Sequence, residues 1–339
     1  MTGLHVEPGT AALDDGYVAA TRNCLPEHVG AVGGKAVGLG SLVRAGQRVP
    51  PSFVITAAAY RDYVLAGAHG LTAPIREAIG RSYEVLCELH GAELTVAVRS
   101  SATVEDSTDA SCAGQFRTFL GACGTAEVLE QVEQCWLAAK EPQVGSYRAQ
   151  RQIAAGDDAV AVIVQELVDA RAAGVMFTQH PRTGDRSLIV IESSYGLGEA
   201  VVGGEVTPDL FEINKITGGT HQSRLGTKTY EHRLAAGGRS VRSLPVERAR
   251  QQAWSLSGGE VTALVTLASD LEASLGRGLD TEWAIGTTGS TRGEQALFSL
   301  QARPITVAPR RPAQGRPAGD AVDRVLGRLA SRPPGTGAA

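Results

Sequence analysis

Three groups of residues have the types and spacing for phosphate or metal chemistry. The first is Lys35, set in the glycine-dense run Gly33-Gly34-Lys35-Ala36-Val37-Gly38-Leu39-Gly40. Glycines let backbone amides approach phosphate oxygens, and a lysine adds a point charge. The spacing is not that of a Walker loop, G-x-x-x-x-G-K-[S/T], so a plain structural turn reads equally well. The second is Val98-Arg99-Ser100-Ser101, where a strand gives way to small hydroxyl residues. An arginine there can fork two phosphate oxygens, with serine amides and hydroxyls as further donors. Pairing of Arg99 with Glu105 or Asp106 is the plainer alternative.

The third group lies near the end: Asp280-Thr281-Glu282-Trp283 and Gln301-Ala302-Arg303-Pro304. Residues two apart on a strand share a face, so Gln301 and Arg303 point the same way. A carboxylate with an amide oxygen suits Mg²⁺, which takes one or two protein oxygens and fills its shell with phosphate and water. Arg303 can then stabilise charge on a transferring phosphoryl group. An ordinary Glu–Arg hairpin pair fits the same spacing. Gly218-Gly219-Thr220-His221 looks like a histidine offered in a glycine loop, but it follows Asn214-Lys215 between two strand-like runs, the context of a hairpin turn.

The elements that must hold these residues can be read from periodicity. The glycine run enters a short helix ending near Ala45-Gly46, and Phe53-Val54-Ile55 is a buried strand. Helices follow after Thr56, over 72–90 with Ile75, Ile79, Leu86 and Leu89 on its apolar side, and over 126–140 with Thr125 as cap. Strands are expected at 95–98, 159–168, 174–177, 188–192, 281–285 and 296–301, with a hairpin from Pro208 around Thr217-Gly218-Gly219. A helix spans 246–275, broken at Gly258-Gly259, with Val261, Leu264, Leu267, Leu271 and Leu275 on one stripe.

Composition narrows the class. A net charge of −4 and an aromatic content of 5% give no field or stacking surface for nucleic acid. No run approaches the roughly 20 apolar residues of a membrane-spanning helix, so no membrane partner is expected. The 5 cysteines are odd in number and lack C-x-x-C spacing, which suits reduced thiols in a cytoplasm.

The order of the motifs is more specific than any one of them. The glycine run, Val49-Pro-Pro-Ser-Phe-Val-Ile-Thr56, Ala97-Val-Arg-Ser-Ser-Ala-Thr-Val-Glu-Asp106 and Ala113-Gly-Gln-Phe-Arg-Thr118 resemble the ATP-binding domain of phosphoenolpyruvate synthase. Pyruvate phosphate dikinase and rifampin phosphotransferase share that domain. Gly174-Val-Met-Phe-Thr-Gln-His-Pro181, Gly196-Leu-Gly-Glu-Ala-Val-Val-Gly-Gly204 and Gln301-Ala-Arg-Pro-Ile-Thr306 resemble the same family, so the likeness covers about 17–308. It departs from the family at Cys112, where an aromatic is usual, and at Gln179-His180, where a basic-acidic pair is usual.

The resemblance implies an α+β, ATP-grasp-type fold of two subdomains around a cleft. They would span 17–196, with the glycine and Arg-Ser-Ser loops, and 197–308, with the metal and phosphate hairpin. Residues 1–16 would be a tail and 309–339 a flexible Pro/Arg-rich tail with six arginines against two aspartates. Carried over, the likeness places Lys35 and Arg99 on phosphates, Thr118 in the nucleotide pocket and Gln165-Glu166-Leu167-Val168 against adenine through its strand edge. Glu282 and Gln301 would ligate Mg²⁺, and Arg303 would contact the β- and γ-phosphates. Lys35, Arg99 and Arg303 would be the catalytic set, with ATP and Mg²⁺ as cofactors. Members of the family continue into a swivelling domain whose histidine carries phosphate, so the expected partner is a separate phosphohistidine-domain protein. A stand-alone kinase acting on a small-molecule acceptor and a non-catalytic nucleotide-gated subunit are the alternatives.

Overall fold

Valine- and isoleucine-rich runs alternate with alanine- and glycine-rich helical stretches, and the chain sorts the extended runs into two antiparallel sheets. The computed structural model describes residues 16–90, 94–102, 118–139, 159–235, 240–276, 278–289, 291 and 293–305. The first sheet has five strands: β1 (Val18–Ala20), β2 (Ser52–Ile55), β3 (Thr95–Ala102), β4 (Thr118–Cys123) and β5 (Val160–Glu166), in the order β1-β2-β5-β3-β4. The second has six. It holds β6 (Asp169–Phe177), β7 (Leu188–Tyr195), β8 (Asp209–Asn214) and β9 (Thr220–Arg224). A separate hairpin of β10 (Tyr230–Leu234) and β11 (Val241–Pro245) comes next, and β12 (Leu279–Thr287) and β13 (Ala296–Pro304) complete the second sheet in the order β13-β12-β6-β7-β8-β9.

The helices are α1 (Val29–Arg44), α2 (Ala57–Leu65), α3 (Ala73–His90), α4 (Thr125–Ala138), α5 (Glu199–Val202), α6 (Arg248–Gln251) and α7 (Gly258–Leu275). One face of the first sheet, with Val96, Val98, Val162 and Val164, packs against Tyr63, Ile75, Ile79, Val128 and Trp136 of α2, α3 and α4. Trp136 is fully buried, and its indole N–H donates to the Val160 carbonyl at 2.9 Å, so its one polar atom is satisfied. All seven residues of β5 are buried, as a strand covered on both faces must be.

Helix α1 lies between the sheets. Val32, Ala36, Leu39 and Leu42 share one apolar cluster with Val54 and Ile163 of the first sheet and Met176, Trp283 and Ala302 of the second. Its glycines explain the fit. A Cβ on Gly38 would come 2.1 Å from the Ala302 carbonyl oxygen, and one on Gly40 2.6 Å from the carbonyl oxygens of Thr21 and Cys24. Gly33 has φ 78° and lies so close to Ser101 that a Cβ would meet it at 2.3 Å. The glycine breaks the helix there, and Ser101 Oγ accepts the Ala36 N–H at 3.2 Å, a cap for the turn that restarts.

Several sequence expectations shift. The run Arg99–Ala102 is strand, not loop, because it pairs with Ala161, Val162 and Ile163 of β5 and Val160 follows on Ala102. Gly124, at φ 88°, precedes α4, so Thr125 is its first residue rather than its cap. Leu89 is 46% exposed and leaves the apolar side of α3 to Ile75, Ile79 and Leu86. The helix expected over 246–275 is two: α6, and α7 opened by a capping box in which Ser257 and Glu260 each accept the other's backbone N–H. Hairpin β10–β11 had no counterpart in the sequence reading. The chain passes from first to second sheet at Leu167–Val168, ahead of a division at 196. Glu105, Asp106, Cys112 and the 309–339 tail lie outside the described residues.

A buried ion pair fastens the end of the second sheet. Lys228 and Asp209 have side chains with no exposure, and Lys228 Nζ donates to Asp209 Oδ1. That oxygen also accepts Gly226 N–H at 2.8 Å, while Oδ2 accepts the N–H and hydroxyl of Ser255, each at 2.7 Å.

Gly38→Ala is expected to destabilise the chain by about 1–3 kcal/mol in urea denaturation, since backbone must move to admit the methyl. Gly30→Ala on the same helix has nothing within 4 Å and is expected to be neutral or mildly stabilising. Lys228→Met should cost about 3–5 kcal/mol by leaving Asp209 buried and unpaired.

Candidate functional site

Arg99 sits on β3 with Thr118 directly opposite it on β4 and Ile163 opposite on β5. Its guanidinium leaves the first sheet and reaches the second. Nη2 donates to Glu282 Oε2 at 2.6 Å and to Gln301 Oε1 at 2.8 Å, and Nη1 approaches the Leu300 carbonyl at 3.5 Å. Arg99 and Glu282 keep only 14% and 20% of their side-chain exposure, so the pair is largely desolvated.

The second sheet presents its half through register. Glu282 on β12 pairs with Gln301 on β13, after which the register slips so that Trp283 meets Ser299. Leu300 is the extra residue of that bulge, and its carbonyl is the one Arg99 approaches. Glu282 and Gln301 therefore stand on one face, opposite the face through which Trp283 and Ala302 join the core with α1.

The other residues expected at the site surround this triad. Lys35 Nζ donates to the Ser100 carbonyl at 3.1 Å, which brings a second cation next to Arg99. Arg303, two residues beyond Gln301, donates through Nε to Asp280 Oδ2 at 2.8 Å and is itself exposed. Asp280 was not singled out in the sequence, although a strand period of two from Glu282 would have put it on the same face. Burial holds its carboxyl above the usual range against the opposing pull of Arg303, with Glu282 adding to the rise. Ser100 and Ser101 are buried, and Ser101 Oγ is committed to α1, so their hydroxyls are not phosphate donors as expected.

The run Gln165-Glu166-Leu167-Val168 ends β5 and makes the crossing between sheets. β5 is interior, and the amides of Glu166 and Leu167 are already given to Pro51 and Thr95 carbonyls at 2.8 and 2.9 Å. Those two amides are closed to any ligand. The Glu166 side chain is different. It is 3% exposed, Oε1 accepts Gly289 N–H at 2.7 Å, and Oε2 is buried with no hydrogen-bond partner among the described residues. Burial pushes its carboxyl up to about 7, with the Gly289 hydrogen bond opposing. Gln165 Nε2 reaches the Pro50 carbonyl at 3.5 Å.

His221 lies on β9, where all residues are exposed, away from the triad's strands. Among the described residues no cluster of three or more His, Cys, Asp or Glu side chains could hold a metal, and no helix is long and apolar enough to cross a membrane.

Residues 67–321 match the family model described as "Pyruvate phosphate dikinase, AMP/ATP-binding domain". The chain is 36% identical over 324 residues to a probable phosphoenolpyruvate synthase of Methanothermobacter thermautotrophicus, covering 86% of this chain and 46% of that protein. It is 38% identical to a phosphoenolpyruvate synthase of Aeropyrum pernix, covering 81% and 40%, and 34% identical to a rifampicin phosphotransferase of Streptomyces sviceus, covering 86% and 36%. The chain thus spans under half the length of these relatives. The ATP-grasp ligase PsnB superposes over 87% of this chain with 12% identity and a TM-score of 0.28, too loosely to add to the fold described above.

Glu166 gives this site a pH signature. The folded chain keeps the proton up to about pH 7, whereas an unfolded glutamate loses it near 4.5. The folded state binds more protons between those values, so this group's contribution to stability falls as pH rises through the window and is level above it. Glu166→Gln is expected to lack that slope, so the difference in Tm between wild type and variant should change with pH over the same range.

Proposed function

The chain belongs to the pyruvate phosphate dikinase AMP/ATP-binding domain family, and on that premise we propose that it binds ATP with Mg²⁺ and passes a phosphoryl group to a histidine imidazole on a separate protein. The observation that carries this reading is the convergence of Arg99 from one sheet with Glu282 and Gln301 from the other. In this reading the two sheets would be the two subdomains of the cleft, with the chain crossing between them at Leu167–Val168.

The donor set fits Mg²⁺. Glu282 Oε2 and Gln301 Oε1 both accept from the single nitrogen Nη2 of Arg99, so a cationic group is already held between two hard oxygens. Two protein oxygens are the number Mg²⁺ commonly takes beside phosphate and water. Bound there, the ion would neutralise charge on the phosphates. Arg99 would exchange these two acceptors for phosphate oxygens, with Lys35 adding charge from the same side. Arg303, steadied by Asp280 through Nε, would contact the β- and γ-phosphates. Thr118, paired with Arg99 across β3 and β4, would line the nucleotide pocket. Adenine would lie at Gln165–Val168, where Glu166 Oε2 lacks a donor among the described residues and an exocyclic amine can supply one.

An imidazole lone pair attacks phosphorus, the N–P bond forms, and the departing oxygen takes the electron pair of the broken P–O bond. Release of AMP and phosphate from one ATP breaks two such bonds, so one water is consumed. Positioning and charge neutralisation supply most of the rate in such transfers. A cytoplasmic setting suits the chain, since Cys24, Cys87, Cys123 and Cys135 are all free thiols.

Lys35→Ala and Arg99→Lys are each expected to weaken Mg·ATP binding in calorimetry by about tenfold or more. Glu282→Gln keeps a hydrogen-bond acceptor for Arg99 but removes the anion, so Mg·ATP affinity should fall while the fold persists. His221→Ala should change neither. Phosphorus NMR of the chain with ATP is expected to show slow turnover until a histidine-bearing acceptor protein is added, then AMP and phosphate. Rapid ADP formation with a small molecule and no protein acceptor would replace this reading with that of a direct kinase.

A further inference from the structure

Hairpin β10–β11 has two unlike faces. Tyr230 packs with Ala200, Val201 and Val206, and Val241 with Val168, Leu197 and Phe298, so the face they share is turned onto the body. The other face carries Glu231, Arg233, Arg242 and Leu244, and there Arg233 and Arg242 stand directly opposite each other. Like charges in that position weaken a hairpin, and a two-stranded ribbon has little stability to lose.

The acid on this face does not resolve the conflict. Glu231 is buried and accepts from Arg233 Nε at 3.1 Å and from both Nη atoms of Arg250 at 2.6 and 3.1 Å. Arg250 in turn lies over the Tyr195 ring, 4.1 Å from its centroid. Arg233 is thus pinned through Nε with its outer fork directed away from that bond. Arg242 is exposed and has no ion pair among the described residues. Leu244, two residues along the same face, is 43% exposed. The result is one anchored and one exposed guanidinium fork beside an apolar side chain.

Its position gives the patch a purpose. Val241 shares its cluster with Leu120 of β4, and a Cβ on Gly121 would meet Ser240 Cα at 3.3 Å. Leu120 is two residues from Thr118, which faces Arg99. The Ser240–Val241 end of the hairpin therefore lies against β4, the strand that carries Thr118. We propose that this outer face docks an acidic segment of the protein that receives the phosphoryl group, with Leu244 as apolar anchor and Arg233 and Arg242 reading carboxylates. The inference rests on the reading that the acceptor is a protein. A small oxyanion would use the forks but leave Leu244 idle, and the two paired forks suit carboxylates presented in sequence.

A fluorescein-labelled oligoglutamate peptide containing one leucine tests this by anisotropy at low and physiological salt. Arg242→Glu and Leu244→Ser are each expected to weaken peptide binding by about tenfold or more. Neither should alter Mg·ATP affinity, and Arg242→Glu should leave the Tm unchanged or raised, because it now faces Arg233 with opposite charge. Equal peptide affinity in the wild type and Arg242→Glu overturns the proposal. So does a lowered Tm in that variant, which would make Arg242 structural. Displacement of the peptide by inorganic phosphate alone, with Leu244→Ser unaffected, overturns it in favour of a small-anion site. Mg·ATP titration of the same wild-type sample reads the phosphotransfer reading separately, so failure of one is not failure of the other.

Discussion

Helix α1 fits between the two sheets only because three of its positions have no side chain. Gly33 lies against Ser101 of β3, Gly38 against Ala302 of β13 and Gly40 against the carbonyls of Thr21 and Cys24, each at a distance where a methyl group would strike backbone or its hydroxyl neighbour. Protein interiors are packed so densely that such contacts cannot be relaxed locally. At these points the approach is therefore set by helix backbone, while Val32, Ala36, Leu39 and Leu42 fill the space between the sheets. That packing lets the Arg99 guanidinium span from β3 to Glu282 and Gln301. A glycine run that invites reading as a phosphate loop thus has a second task, and Lys35 within it is delivered to Ser100 beside Arg99 by the same fit.

The Arg99–Glu282 pair ties the two sheets together. Largely removed from water, each charge depends on the other, since an unpaired charge there would cost several kcal/mol. Gln301 adds a neutral acceptor without adding repulsion, which matters where Asp280 already lies on the same face and has its proton affinity raised by burial and by Glu282. A ligand that brings anionic oxygens and a divalent ion offers each group a new partner: phosphate for the arginine, metal for the carboxylate. The tie between the sheets can then be replaced without leaving either charge alone. Glu166 at the crossing works differently. Its carboxyl stays neutral through much of the acid range because burial outweighs the hydrogen bond from Gly289, and one oxygen remains without a partner among the described residues.

Around this centre the second sheet carries a third layer made from α5, α6 and hairpin β10–β11. The buried Lys228–Asp209 pair, with Ser255 and Gly226 filling the remaining acceptor positions on Asp209, anchors this layer to β8. Such a pair contributes more to a unique arrangement than to net stability, since its gain is largely offset by desolvation. A defined arrangement is what the hairpin requires in order to reach Gly121 on the other sheet.

The sequence by itself named the candidate residues for phosphate and metal chemistry and was enough for most strands and helices. Lys35, Arg99, Glu282, Gln301 and Arg303 stand in motifs whose order is specific, and the apolar periods of α3, α4 and α7 follow from residue spacing alone. Where it fell short, the missing information was nonlocal. Nothing local marks 230–234 and 241–245 as strands, because they are polar and pair only with each other. Arg99–Ala102 looks like loop by composition and is strand because β5 supplies its partners. Ser101 looks like a phosphate donor and is instead a cap for a helix 65 residues earlier in the chain. Asp280 acquires its partner and its raised proton affinity only from burial beside Arg303. Spacing sets which residues can act together on one strand or helix face. Which faces meet, and which polar atoms are left without water, depends on packing between segments far apart in the chain, and only the tertiary structure decides that.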